Sequence, residues 1–306
     1  MKQVTISRFI IDNAKTPFSN HDQNYYNLPM IKRIYIEITN ICDLHCPFCE
    51  KNRRTPESME PSFFHSVLSQ AMQITPHIYL HVQGEPLLHP QFDEILSICD
   101  REHAQVHLVT NGSFLSRYPD LLNHSSLSGI AVSLQSAAAR PSETIPDYFA
   151  AIRSMAYHAS DLGTVNVDLR FWRSEGITDP NTAWCLDRLH EEFSFEETSR
   201  KNSYALMPRV YVSFANDFTW PSAGNADDLH GTCLGARTQL AVLCDGTVVP
   251  CCLDAEGQIV LGTLKTDSLS DILSAPRYQS MVQGFEQHRL VESLCRSCTY
   301  RTRFDH

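Results

Sequence analysis

Three cysteines fall within eight residues in the stretch Cys42-Asp43-Leu44-His45-Cys46-Pro47-Phe48-Cys49. The segment before them, 32–40, carries Ile34, Tyr35, Ile36 and Ile38 and predicts a strand, so the cysteines occupy the loop that leaves it. Thiolates this close converge on one metal centre when the loop folds back, and they favour zinc or an iron–sulfur cluster. A closed structural zinc site takes four ligands, whereas three leave a metal position open, as a reactive centre requires. A zinc knuckle completed by His45 is the competing reading of the same loop.

Downstream the apolar pattern switches between strand and helix periods. Strands are predicted over 32–40, 77–82, 105–110, 127–134, 164–172 and 209–214. Helices are predicted over 61–74, 91–102, 114–122, 145–158 and 180–189, with Pro61 suited to a first helical turn. About six β/α units with right-handed crossovers give a parallel sheet that curls with its helices outside. After 214 the chain turns polar through 216–231, and then six of the eleven cysteines follow. Asp245-Gly246 between 239–244 and 247–251 is a hairpin signal. The predicted fold class is α/β: a partial (β/α)6 TIM-like barrel with a small C-terminal cysteine-rich β-hairpin/α module. The expected divisions are an N-terminal extension over 1–30, the barrel over 31–215 and the module over 216–306.

Composition narrows the function classes. A net charge of −10 with no clustered run of Lys and Arg argues against nucleic acid as a partner. No apolar stretch approaches the roughly 18 residues of a membrane span, and residues 1–30 hold no cleavable apolar segment. The expected location is the cytoplasm, without membrane association. In that reducing compartment eleven cysteines, an odd number, read as metal ligands or catalytic groups before disulfides.

The C-x3-C-x2-C loop after the first strand of such a barrel resembles the radical S-adenosylmethionine (SAM) superfamily, and Phe48 fits its preference for an aromatic residue before the last cysteine. The resemblance implies that Cys42, Cys46 and Cys49 hold a [4Fe–4S] cluster whose fourth iron is chelated by SAM. Three further segments match in order. Gln83-Gly84-Glu85-Pro86 resembles the family's GGE motif, with Gln83 replacing its first glycine, and implies contact with the SAM amino group through backbone carbonyls and Glu85. Thr110-Asn111-Gly112 ends the third strand. Ser133-Leu134-Gln135 ends the fourth, where relatives carry Ser-Leu-Asp. The SAM-binding set implied is Gly84, Glu85, Pro86, Asn111, Ser133 and Gln135. Arg170, late in the fifth strand, would pair with SAM or substrate. The bland alternatives are a helix-initiating Glu85, a simple turn at Asn111 and a structural ion pair for Arg170.

The later cysteines, with Asp245-Gly246-Thr247-Val248-Val249-Pro250-Cys251-Cys252 and Leu261-Gly262-Thr263-Leu264, resemble the SPASM extension of that superfamily. No cysteine follows Cys298, which points to the shortened form called Twitch, with one auxiliary [4Fe–4S] cluster held by Cys233, Cys251, Cys295 and Cys298. A structural zinc site suits the same four, and Cys252 is an alternative to Cys251. Cys99, Cys185 and Cys244 read as small core residues, although a thiol facing the barrel mouth, Cys185 or Cys244, would serve as a hydrogen-atom donor.

The resemblance implies reductive cleavage of SAM to a 5′-deoxyadenosyl radical, hydrogen abstraction from a substrate, and a one-electron reductant such as flavodoxin or ferredoxin as partner. The first expectation is net oxidation of a small polar metabolite, such as a sugar or cyclitol alcohol, with the auxiliary cluster as electron acceptor. The second is a peptide- or protein-modifying enzyme performing oxidation, crosslinking or epimerisation. A non-catalytic metal-binding or electron-transfer protein is the alternative from another class. No general base stands in a motif; His81 and His89 flank the SAM segment and read as surface or core histidines.

Overall fold

The computed structural model describes residues 31–50, 53–172, 177, 179–216, 218–221 and 229–304. The expected 1–30 extension lies outside them. Eleven strands form one sheet in the order β11-β10-β9-β1-β2-β3-β4-β5-β8-β7-β6, which has two free edges and so does not close. Its centre is the expected run of parallel strands: β1 (Arg33–Ile36), β2 (His77–Leu80), β3 (Gln105–Thr110), β4 (Leu127–Ser133), β5 (Asn166–Trp172) and β8 (Val210–Ala215). The long crossover helices are α1 (Pro61–Met72), α2 (Phe92–Arg101), α3 (Ile145–Leu162) and α4 (Pro180–Glu192). Pro61 sits in the first turn of α1, and Gly163 at φ +71° ends α3 in the left-handed conformation that glycine adopts freely.

The structure departs from the sequence reading in three places. The helix expected over 114–122 is two short 3-10 turns, Leu115–Arg117 and Leu121–Asn123; Pro119 lies between them, and its missing N–H and its ring break a continuous helix. A hairpin of β6 (Glu196–Glu197) and β7 (Ser203–Met207) adds an antiparallel edge beside β8. The C-terminal hairpin, β9 (Gln239–Val242) and β10 (Thr247–Val249), turns where Asp245-Gly246 signals it. Its first strand docks parallel onto β1, from Arg33↔Gln239 to Ile36↔Val242, so the module continues the barrel sheet. β11 (Gly262–Thr263) and helices α5 (Leu269–Ser274), α6 (Pro276–Glu286) and α7 (Ser293–Ser297) complete the module. Among the described residues no helix is long and apolar enough to cross a membrane.

Side chains alternate across a strand, and here the alternation divides two environments. One set, including Ile34, Ile36, Ile78, Leu80, Val106, Leu108, Ile130, Val132, Val167, Leu169, Val210 and Val212, is buried. It packs with Phe64 and Leu68 of α1, Ile95 and Leu96 of α2, Phe149 and Ile152 of α3, and Leu189 of α4. Cys99 and Cys185 belong to this core, and Cys244 is buried with it. Each large apolar side chain so buried contributes about 1.5–3 kcal/mol. The alternate set faces the concave side. Tyr35, Tyr79, His107, Gly129 and Asn166 pair across the strands in one row, Val109, Ala131, Asp168 and Tyr211 in the next, then Ser133, Arg170 and Ser213. A closed TIM barrel fills this space with branched apolar residues. Here these residues, with His81 and Trp172, line a cavity of about 1390 Å³.

Candidate active site

The cysteine loop stands at the C-terminal mouth of the sheet, where β/α barrels place their chemistry. Cys42, Cys46 and Cys49 are free thiols on the cavity lining. Burial raises the Cys42 thiol to about 11. It raises Cys46 to about 12, helped by the neighbouring Cys49 and Cys42. The loop is held from below through Asp43, whose carboxylate accepts from Asn111 Nδ2 at 2.8 Å and Ser113 Oγ at 2.5 Å. The Asn111 carbonyl accepts from Tyr148 Oη (3.1 Å), Ser136 Oγ (3.0 Å) and Arg140 Nη2 (2.9 Å). The Arg140 guanidinium also reaches Ser113 Oγ at 2.9 Å and lies 3.9 Å over the Tyr148 ring. Arg140 belongs to no motif, and nothing in the sequence singles it out.

Gly84 is required where it stands. Its φ is +74°, and a Cβ there would lie 2.4 Å from the Thr39 carbonyl oxygen and 2.9 Å from Asn40 Cα. This close approach lets Glu85 N donate to the Ile41 carbonyl at 2.8 Å, fixing the 83–86 segment against the exit of β1. The Glu85 side chain is turned inward. Oε1 accepts from Thr110 Oγ1 (2.7 Å) and Leu87 N (3.1 Å), and Oε2 from Asn111 N (2.6 Å). Burial lifts its pKa to about 7 against these donors. The carboxylate thus joins the segment to the end of β3, and Pro86 opens the short turn that Glu85 caps. Ser133 and Gln135 lie at the end of β4 on the cavity lining, and Gln135 Oε1 is buried with no hydrogen-bond partner. Arg170 Nε donates to Asp168 Oδ2 at 3.0 Å.

Below the mouth, Glu37 joins three segments. Its buried carboxylate accepts from both Arg54 (2.6 and 2.8 Å, Nη2) and two backbone amides, Gln83 N (3.2 Å) and Cys244 N (3.0 Å). Arg54 follows the cysteine loop, Gln83 opens the 83–86 segment, and Cys244 ends the first arm of the C-terminal hairpin. A lone carboxylate among Ile34, Ile36 and Ile38 was the available sequence signal, because Glu is almost never fully buried unless paired.

The second cysteine group lines the same cavity from the other side. Burial raises the Cys251 thiol well above its usual value, and the neighbouring Cys252, Cys233 and Cys295 add to the rise. Burial raises Cys295 too, with Cys233 and Cys298 beside it. Cys252 turns to Tyr35, which hydrogen-bonds it, and to Arg33. Aromatic side chains join the two cysteine regions: Phe48 packs on Trp172 (5.1 Å), Trp172 on Phe218 (5.5 Å) and Phe218 on Tyr300 (5.2 Å), while Trp220 Nε1 donates to the Phe48 carbonyl at 2.8 Å. His89 is a core histidine bonded to the Met59 carbonyl and Gln91 N. His81 instead lines the cavity and makes no hydrogen bond through its ring to a described residue. Among the described residues no three His, Cys, Asp or Glu side chains are gathered closely enough for a metal ion. A single ion needs every donor about 2.0–2.3 Å from one point, whereas each thiolate of a four-iron cluster binds a different iron and the donors stand wider apart.

Residues 36–158 match the radical SAM superfamily, and residues 233–299 match SPASM, an iron–sulfur cluster-binding domain. The chain carries a radical SAM domain followed by a SPASM domain. The first domain implies SAM and a [4Fe–4S] cluster, with a reductant and a substrate, and the second implies further iron–sulfur binding. A tungsten-containing aldehyde ferredoxin oxidoreductase cofactor-modifying protein of Pyrococcus furiosus is 30% identical over 90 residues, 28% of this chain; the match spans only 25% of that relative. Among solved structures, BtrN in complex with AdoMet and 2-DOIA superposes with a TM-score of 0.59 at 18% identity, covering 89% of this chain and 94% of BtrN. Streptococcus suis SuiB bound to S-adenosylmethionine gives a TM-score of 0.57 at 15% identity, covering 94% of this chain and 76% of SuiB. At these identities the two structures establish a shared fold. They bear out the expected open α/β barrel with its C-terminal module.

Proposed function

We propose that this radical SAM enzyme oxidises a small polar metabolite held on the concave face of its sheet. The observation that carries this reading is the polar lining of the cavity: Tyr35, Tyr79, His81, His107, Asp168, Arg170 and Tyr211 replace the apolar filling of a closed barrel. Cys42, Cys46 and Cys49 would hold the SAM-binding [4Fe–4S] cluster, since they are three free thiols of one loop at the cavity mouth. Cys233, Cys251, Cys295 and Cys298 would hold the auxiliary cluster as electron acceptor. Cys251 is preferred to Cys252 because Cys295 as well as Cys233 lies near it, whereas Cys252, although near Cys233, is hydrogen-bonded to Tyr35. When bound, the first cluster and SAM supply the 5′-deoxyadenosyl radical that removes a substrate hydrogen atom.

The chain's own residues orient and enclose. Gly84, Glu85 and Pro86 set the backbone segment that lies over the SAM site, with Glu85 acting through its ties to β3. Asn111, with Arg140 and Ser113 beneath, fixes the cysteine loop through Asp43. Ser133 and Gln135 offer polar groups to SAM. Arg170 we assign to the substrate, because its partner Asp168 lies deeper on the concave face. Flavodoxin or ferredoxin is the proposed reductant, and the expected setting is the cytoplasm.

The test is product analysis. Reconstituted protein with SAM and dithionite is offered cyclitols and sugars, and separately short peptides. A polyol that loses two mass units, with one 5′-deoxyadenosine per product, is the expected result. A modified peptide and unchanged polyols would replace this reading with a peptide-modifying one, which the similar structure of SuiB bound to precursor peptide SuiA makes the natural rival.

A further inference from the structure

Asp168 is satisfied on one side only. Oδ2 accepts from Arg170 Nε, but Oδ1 is buried with no hydrogen-bond partner. A buried polar atom left in this state costs about 1–3 kcal/mol, and the cost is removed when a ligand brings a donor. Arg170 spends only Nε on this pair; its two terminal nitrogens make no hydrogen bond to a described residue. The pair therefore presents one acceptor and several donors side by side. Across the sheet the wall is low: Gly129 and Ala131 of β4 lie between β5 and the histidines just after β2 (His81) and in β3 (His107), and a Cβ on Gly129 would meet His107 Nδ1 at 3.1 Å. His81 and His107 face this space, and neither ring hydrogen-bonds a described residue. Burial lowers both to about 4, reinforced by Arg170 at His81 and by His77, Arg33 and Arg170 at His107, so each is a neutral imidazole with one donor and one acceptor.

We propose that Asp168, Arg170, His81 and His107 form the polar recognition site for the substrate, and that the group recognised is a vicinal diol of a compact polyol. One hydroxyl donates to Asp168 Oδ1, and the adjacent oxygen accepts from the Arg170 terminal nitrogens. The imidazoles of His81 and His107 meet further hydroxyls from the opposite wall. A hydroxyl both donates and accepts, so a polyol with a vicinal diol meets every free group of the site without bringing a net charge beside Arg170. The inference rests on the metabolite reading and adds the residues and the functional group.

Calorimetric titration of the reconstituted holoprotein with SAM tests it, using myo-inositol and trans-1,2-cyclohexanediol as probes and cyclohexanol as the single-hydroxyl control. The diols should bind about ten-fold or more tighter than cyclohexanol, the margin of one hydrogen bond to a charged group. Asp168→Asn, nearly isosteric, should erase that margin. Arg170→Lys should weaken the same probes, and melting curves of both variants separate a lost site from a lost fold. Equal affinity for diol and cyclohexanol, or an unchanged margin in a folded Asp168→Asn, overturns the site. If Asp168→Asn binds as wild type does while wild type still oxidises a polyol, the site fails and the metabolite reading stands. If the holoprotein binds and modifies peptides and no polyol, both fail.

Discussion

The two faces of one sheet have opposite characters although they are built from the same strands. On the convex face, Ile34, Ile36, Ile78, Leu80, Val106 and Leu108 interdigitate with helices and are at most 0% exposed. On the concave face, one residue along in each strand, stand Tyr35, Tyr79, His81 and His107, bordering a cavity. The convex face obtains its stability from burial of apolar area, which tolerates few voids. The concave face leaves hydrogen-bonding capacity unused at Asp168, His81 and His107, which is unfavourable for folding and is what a ligand exploits. A period-two alternation thus separates the part of the molecule that holds the fold from the part that meets a substrate.

The largest effect should come from the convex side. Phe64→Ala, which empties a fully buried position of α1, should cost about 3–5 kcal/mol in denaturant unfolding, with polyol binding by the protein that remains folded unchanged. An equal loss of probe affinity in the folded fraction would break the division between faces.

Glu37 sharpens the division, because it is a polar residue that carries structure. Glu37→Gln should cost about 3 kcal/mol by leaving the Arg54 guanidinium buried beside a neutral amide, and Glu37→Gln/Arg54→Met should recover much of it. A double variant no better than the single would show that the amides of Gln83 and Cys244, not the ion pair, are what the carboxylate serves.

A further effect concerns pH. His81 and His107 have folded pKa values near 4, below the ordinary 6.5. Between those values the unfolded chain binds protons that the native protein does not, so stability falls as pH drops from 6.5 toward 4. Unfolding midpoints measured across that window should fall less steeply in His81→Asn/His107→Asn than in wild type. Parallel curves would mean that the two rings are not held neutral by the concave face.

The sequence foretold the strands and crossovers, because six apolar segments at period two alternating with helical periods admit few other arrangements. It also marked both cysteine groups by spacing. What escaped it depends on contacts between distant residues. The docking of β9 on β1 pairs residues about 200 positions apart, and a hairpin signal carries no information about which edge it joins. Arg140 acts through Asn111 and Ser113, which only the folded chain brings to it. Glu196-Glu197 has no strand character and pairs only because β7 lies alongside. The different surroundings of Cys251, near Cys233 and Cys295, and Cys252, near Cys233 and hydrogen-bonded to Tyr35, follow from backbone geometry that two adjacent identical residues cannot express.

The most direct measurement counts iron and sulfide per chain in anaerobically reconstituted wild type and in Cys42→Ala/Cys46→Ala/Cys49→Ala, with SAM and dithionite added to assay 5′-deoxyadenosine. Two [4Fe–4S] clusters predict about eight irons in wild type and about four in the variant, with deoxyadenosine lost. Undiminished iron and continued SAM cleavage in the variant would contradict the assignment of that loop as the cluster site.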